Sequence, residues 1–133
     1  MNSLLRIIFL ICYVFLLVLL YLPSYENFSV DLYSCQQINC SETLQDLLKT
    51  STTHRCAFYD LEDDGIYELV QEGVLFEDNY EAKYSRLTQV NSKGLMHHKY
   101  CVFDERYVLS GSWNPTRRGT NYNDNYILFI DSK

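Results

Sequence analysis

The sequence predicts a mixed α/β fold, with a β-sheet flanked by helices on both faces and an apolar transmembrane helix preceding the domain. Strand-like segments alternate with segments of helical spacing, which favours a sheet with crossover connections. The 133 residues are 47% hydrophobic and 21% charged, which excludes a disordered chain or a fibrous repeat. Many of the apolar residues lie near the N-terminus, and the remainder has room for one small domain.

The first element is the apolar segment from Leu4 to Leu22, which only Arg6 interrupts. As a helix it would span about 28 Å, close to the hydrocarbon thickness of a bilayer. We therefore predict an N-terminal membrane anchor over residues 1–23 and a folded domain over residues 24–133. The alternative is a signal peptide, although the residues after the segment make a poor cleavage site. The positive charges of the amino terminus and Arg6, at the start of the segment, favour a single-pass protein with an extracytoplasmic domain.

The next segments predict a strand, a helix and a second strand. Residues 28–33 alternate as a strand does, and residues 40–51 place three leucines at helical spacing behind Ser41 as the N-cap. Residues 54–61 form the second predicted strand. This order of elements is typical of the start of a sheet with a crossover helix.

The second half of the domain is predicted to contain mostly strands. Asp64 is expected to cap a short helix that ends near Gly73, followed by a third strand over residues 74–76. A further short helix is expected over residues 81–90. The remaining predicted strands cover residues 95–103, 106–110 and 126–130.

Four cysteines follow the apolar segment, and no two of them form a C-x-x-C pair. In an oxidising compartment Cys35 and Cys40 would be able to close a short loop, but the spacing does not demand a disulfide framework. We interpret Cys56 and Cys101 as small buried residues within strands. A zinc site built from these cysteines and the histidines matches no standard spacing, so we predict no metal ion.

Charge is unevenly distributed along the chain. The formal net charge of −6 gives no general attraction to nucleic acid or anionic lipid. Residues 57–81 contain nine acidic and no basic residues, whereas residues 82–123 contain seven basic and two acidic residues. Such runs usually form solvated faces, but the basic run also contains the polar residues that most strongly indicate a catalytic site.

These polar residues form the pattern His97-x-Lys99-x4-Asp104, followed by Ser112-x-Asn114. Residues two apart on a strand share a face, so His97 and Lys99 are expected to project together. The same holds for Ser112 and Asn114 if their segment is extended. An imidazole beside an ammonium, a hydroxyl and an amide suits attack on a phosphodiester. Asp104 lies at a turn with the opposite parity, so we expect it to support the site without contacting phosphate.

The pattern resembles the phospholipase D superfamily, in particular single-motif members such as bacterial endonucleases and the Zucchini-type mitochondrial cardiolipin hydrolases. The resemblance covers residues 28–133. It implies that His97 is the nucleophile that forms a phosphohistidine, and that Lys99, Ser112 and Asn114 bind the phosphoryl oxygens. It also implies that Asp124, which matches a downstream N-x-[ED]-N element, orients the imidazole. The implied catalytic set is therefore His97, Lys99, Asp104 and Asp124, with no cofactor.

The resemblance further implies a homodimer, because these enzymes use two motifs and this chain has one. One His97 would attack while the other protonates the leaving oxygen, a pairing that replaces any metal. Residues 24–133 then form a phospholipase D-like catalytic domain, whose C-terminal end is shorter than is usual in the family. The anchor favours a phospholipid substrate, cardiolipin included, and a membrane as partner. The basic segment favours nucleic acid as the alternative, and an inactive shortened domain with a structural role is the third interpretation.

Overall fold

The structure is a computed structural model, and it describes residues 8, 11–17, 27–76, 82–90, 93–94 and 96–132. The predicted anchor over residues 1–23 lies largely outside these described residues. Its described part, residues 11–17, is helical and exposed. Within the described ranges no helix is long and apolar enough to cross a membrane.

The described residues form a mixed α/β domain around one sheet of seven strands in the order β1-β7-β6-β5-β2-β3-β4. The strands are β1 (Phe28–Ser34), β2 (His54–Phe58), β3 (Glu72–Phe76), β4 (Thr88–Val90), β5 (Lys99–Phe103), β6 (Tyr107–Gly111) and β7 (Tyr126–Ser132). The helices that follow β1 are α1 (Cys40–Thr50), α2 (Asp64–Leu69) and α3 (Arg117–Asn121). Strands β2, β3 and β4 are parallel, and the other neighbours are antiparallel.

Helices α1 and α2 begin at caps one or two residues before the predicted ones. Asn39, not Ser41, accepts hydrogen bonds from the first amides of α1, and Asp63, not Asp64, accepts from the Ile66 amide. The Ser41 hydroxyl donates instead to the Asp63 carboxylate. The two helix starts are therefore joined by a contact between residues far apart in sequence, which helical spacing alone does not indicate.

Two elements differ from the prediction. The helix expected over residues 81–90 is wrong: the described part contains a single 3-10 turn at Ala82–Tyr84 and then β4. Tyr84 and Leu87 are buried three residues apart, and the segment after them pairs with β3. Helix α3 was not predicted, because its sequence has no apolar periodicity. Its N-cap is Thr116, whose hydroxyl accepts from the Gly119 amide.

The described helices pack on one face of the sheet, where the predictions placed helices on both. The main buried side chains of this face come from α1, α2 and five strands: Leu44, Leu48, Ile66, Phe58, Leu75, Phe103, Leu109 and Ile127. On the opposite face Ala57 and Phe76 are buried, whereas side chains such as Leu32, Val108 and Ile130 are half-buried or exposed. Because β5, β6 and β7 are apolar on both faces, their sequences do not indicate which face the helices cover.

Four cysteines form two disulfides, Cys35–Cys40 and Cys56–Cys101. The first joins the end of β1 to the start of α1. The second joins β2 to β5 at directly paired positions, with Cα atoms 4.1 Å apart. Cys56 and Cys101 are buried within strands, as interpreted, and they are also bonded to each other, because strands that are 45 residues apart in sequence bring them into register.

Candidate active site

The predicted nucleophile and cation lie at the end of the sheet where β2 and β6 finish and β5 and β7 begin. Phe58, the last residue of β2, pairs with Lys99, and Gly111, the last residue of β6, pairs with Ile127. This register brings the loops after β2 and β6 beside the segment before β5. Gly111 has a φ of 150°, and a Cβ there would lie 2.2 Å from the Tyr126 carbonyl oxygen. Only glycine allows the two strands to approach so closely at this point.

His97 and Lys99 project together, as their spacing predicts. The Lys99 ammonium nitrogen lies 2.8 Å from His97 Nε2 and 3.2 Å from the His97 carbonyl oxygen. A protonated lysine can only donate, so Nε2 carries the lone pair and the ring proton lies on Nδ1. His97 is exposed, whereas Lys99 is 8% exposed. The nitrogen that would attack phosphorus therefore lies beside a largely buried cation, and its hydrogen bond to Lys99 must open before the lone pair can attack.

Lys99 lies in a partly apolar environment. Burial lowers the pKa of Lys99, and the negative charge of Asp60 partly opposes this shift. The ammonium also lies 4.9 Å from the centroid of the Tyr59 ring. Tyr59 and Asp60 follow β2, and no motif in the sequence indicated their part in the site. A lowered pKa leaves Lys99 a stronger hydrogen-bond donor to an incoming anion than an exposed lysine would be.

Ser112 and Asn114 have different neighbours. The Ser112 hydroxyl donates to Asn125 Oδ1 at 3.1 Å and accepts from the Tyr126 amide at 3.1 Å. The single hydroxyl proton of Ser112 is thus already donated to Asn125. To donate to a phosphate oxygen instead, Ser112 must first break its hydrogen bond to Asn125. Asn114 Oδ1 is buried without a partner among the described residues. Sequence reasoning gave no role to Asn125, which braces this loop by also donating to the Gly119 carbonyl oxygen at 2.9 Å.

Asp104 lies away from the other predicted site residues. It follows β5, whose rise from Lys99 to Phe103 is about 13 Å. Its carboxylate accepts from the amides of Thr52 and Thr53, both at 2.8 Å. Asp104 thus lies beyond the end of β5 that is opposite to His97 and Lys99, and its role in supporting the site stays a prediction. Asp104 fastens the β5–β6 turn to the start of β2.

The Asp104→Ala substitution should therefore lower stability with little effect on chemistry. The amides of Thr52 and Thr53, both exposed residues, lose a charged acceptor, which costs about 1–2 kcal/mol of unfolding free energy. Urea unfolding measures the loss, and kcat measured well below the unfolding midpoint should change less than about threefold. A large loss of kcat with unchanged stability would return Asp104 to the catalytic set.

Asp124 is exposed and accepts a hydrogen bond from the Gln36 side chain. The described structure does not bring Asp124 into contact with His97, so its orienting role stays a prediction.

His98 projects to the opposite face, where its ring lies 5.9 Å from that of Tyr100. Trp113 is 3% exposed and packs in the core, as expected for a structural residue. In the described part of the chain, no three His, Cys, Asp or Glu side chains gather as a metal site would require.

The chain is similar to known proteins in family and in fold. The model of the family described as "Cardiolipin synthase, PLD-like domain" matches residues 37–133. Comparison with curated proteins by sequence gave no significant match.

Three solved structures have a similar fold. The phospholipase D family member Nuc from Salmonella typhimurium is 16% identical, with a TM-score of 0.67 over 80% of this chain and 84% of that chain. NucT from Helicobacter pylori is 17% identical, with a TM-score of 0.63 over 79% and 86%. Phosphatidylserine synthase from Haemophilus influenzae is 13% identical, with a TM-score of 0.61 over 84% of this chain and 36% of that chain.

At these identities the structural likeness establishes the fold alone, but the family model covers most of the chain. The match includes both polar motifs and every strand of the sheet except β1. The chain therefore belongs to the phospholipase D superfamily, with a PLD-like domain over residues 37–133.

Proposed function

We propose that this protein is a membrane-anchored, metal-independent phosphodiesterase that hydrolyses phospholipids through a phosphohistidine at His97. The observation that carries the proposal is the 2.8 Å contact between His97 Nε2 and the Lys99 ammonium. This contact places a neutral imidazole lone pair next to a buried positive charge. The Lys99 charge therefore attracts an anionic phosphodiester to the place where the nucleophile His97 lies.

The proposed reaction has two steps. His97 Nε2 attacks phosphorus, the bond from phosphorus to the leaving alcohol oxygen breaks, and that oxygen takes a proton from the His97 imidazolium of a second copy. Water then attacks the phosphohistidine, gives its proton to the second imidazole and releases the first one. Lys99 and the Asn114 amide donate to the non-bridging oxygens, where negative charge increases. A homodimer therefore completes the site.

Charge pairing supports a lipid substrate over a nucleic acid. The basic run at residues 82–123 is partly neutralised by acidic residues elsewhere: Lys83 pairs with Asp64, Arg86 with Glu68 and Arg106 with Asp131. These three paired cations attract a polyanionic backbone less strongly than unpaired cations would. The apolar segment before the domain and the two disulfides favour an extracytoplasmic domain held at a membrane.

The test is to give the full-length protein phospholipid vesicles that contain cardiolipin, and labelled single-stranded DNA in parallel, both with a chelator. We expect headgroup release from vesicles and no cleavage of DNA. Removal of residues 1–23 should lower vesicle hydrolysis far more than hydrolysis of a soluble phosphodiester, because the site is no longer held at the bilayer. Cleavage of DNA alone would establish the nuclease alternative, and no turnover of either substrate would favour the inactive domain.

A further inference from the structure

Tyr59 lies against both His97 and Lys99 in the candidate active site. It is the first residue after β2, and its ring lies edge-on to the His97 imidazole, with centroids 4.7 Å apart and planes inclined at 61°. The Lys99 ammonium nitrogen is 4.9 Å from the centroid of the same ring. Phe76, at the end of β3, stacks on the ring at 5.7 Å. One aromatic ring thus joins a strand end, the nucleophile and the cation.

We propose that Tyr59 is a positioning residue, whose ring holds the His97 imidazole and the Lys99 ammonium in their reactive arrangement. The proposal rests on the proposed function, because it concerns the same site. It adds a group that lies outside the two polar motifs and takes no part in bond making.

His97 needs such a restraint because of its position in the chain. It precedes β5, so the ladder hydrogen bonds that hold Lys99 in place do not extend to it, and it is exposed. An edge-to-face contact with a fixed ring limits the orientations of an imidazole. Tyr59 is itself fixed, because it directly follows β2, an interior strand of the sheet, and stacks on Phe76. The sheet therefore fixes the Tyr59 ring, and the ring in turn limits the orientation of the His97 imidazole.

The same ring acts on Lys99 through charge. Lys99 is largely buried, and a cation over the face of an aromatic ring is stabilised more strongly when it is desolvated. The groups that face the ammonium are His97 from its own segment and Tyr59 and Asp60 from the segment after β2. Loss of the ring would remove one stabilising contact from the charged form. The pKa of Lys99 would then fall further, and the alkaline limb of the rate profile would move to lower pH.

Two substitutions separate the ring from the hydroxyl. Tyr59→Phe keeps the ring and should retain kcat/KM within about threefold. Tyr59→Leu removes the ring and should lower kcat about tenfold or more with a smaller change in KM, and it should move the alkaline limb down by about one pH unit. Equal losses in the two variants would overturn the proposal, because they would assign the effect to the hydroxyl.

Tyr107 supplies a matched control at the other end of the sheet. Its ring stacks on Phe129 at 5.5 Å and has the Arg106 guanidinium carbon 4.7 Å from its centroid, so it has the same kind of partners as Tyr59. Tyr107→Leu should lower stability by a similar amount and leave the alkaline limb in place. If both leucine variants shift the pH profile equally, the role of Tyr59 is only structural.

A readout without turnover distinguishes this proposal from the proposed function. NMR titration of labelled Lys99 and His97 in the full chain should give a lower lysine pKa in Tyr59→Leu than in Tyr59→Phe. If wild-type protein hydrolyses no phosphodiester but the lysine pKa responds in this way, the proposed function fails and the positioning role stands. An unchanged lysine pKa in an active enzyme would overturn the positioning role alone.

Discussion

Replacing His97 with alanine should abolish turnover, with a loss in kcat of about a thousandfold or more. The imidazole supplies the nucleophile, and no other histidine of the chain lies beside Lys99. Wild-type protein incubated with a phosphodiester labelled at phosphorus should retain label that is stable to base and lost in acid, as a phosphohistidine is. The variant should retain none.

His98→Ala is the matched control for this experiment. His98 is the next residue along the chain but is exposed on the opposite face, near Tyr100. Its loss should change kcat less than about threefold, because it contacts neither Lys99 nor His97. Retained label in His97→Ala, or loss of label in His98→Ala, would show that the nucleophile has been assigned to the wrong residue.

Mixed subunits test whether the second His97 supplies the proton. If each turnover uses the histidines of two chains, a heterodimer of wild type and His97→Ala lacks one of the two roles. Activity should then fall more steeply than simple dilution as the variant is added at constant total protein. A linear decline, or full activity of a monomer in sedimentation, would contradict the homodimer.

Removing the Cys56–Cys101 disulfide should cause the largest loss of stability. The bond closes a loop of 45 residues, for which the chain-entropy relation gives about 4 kcal/mol of unfolding free energy. It also ties β2 to β5, the strands that carry Tyr59 and Lys99 to the site. The double variant Cys56→Ala/Cys101→Ala should therefore have a much lower urea midpoint and reduced kcat even where it remains folded.

The Cys35–Cys40 pair is the control, because it closes a loop of only five residues. By the same relation its removal costs about 2 kcal/mol. Cys35→Ala/Cys40→Ala should also leave kcat largely unchanged, because β1 and α1 supply no predicted catalytic residue. Equal losses in the two double variants would contradict the assignment of the larger constraint to the strand pair.

The sequence was sufficient to predict those features that depend on residues close together in the chain. Alternation and helical spacing predicted β1, α1, β2, α2 and the last three strands within a few residues, because side-chain period reports directly on backbone geometry. The pairing of His97 with Lys99 was predictable for the same reason, since residues two apart near a strand share a face. The family resemblance rested on these fixed offsets, and the match to the PLD-like family model confirmed it.

Only the tertiary structure decided the contacts between residues far apart in the chain. Register between β2 and β5 joins Cys56 to Cys101 and brings Tyr59 to His97, and it sends Asp104 to the opposite end of the sheet. The acidic and basic runs, separate in the sequence, partly neutralise each other across the fold. A local pattern fixes the direction of each side chain along its own strand. The neighbour that the side chain meets depends on strand order and register, which are properties of the whole sheet.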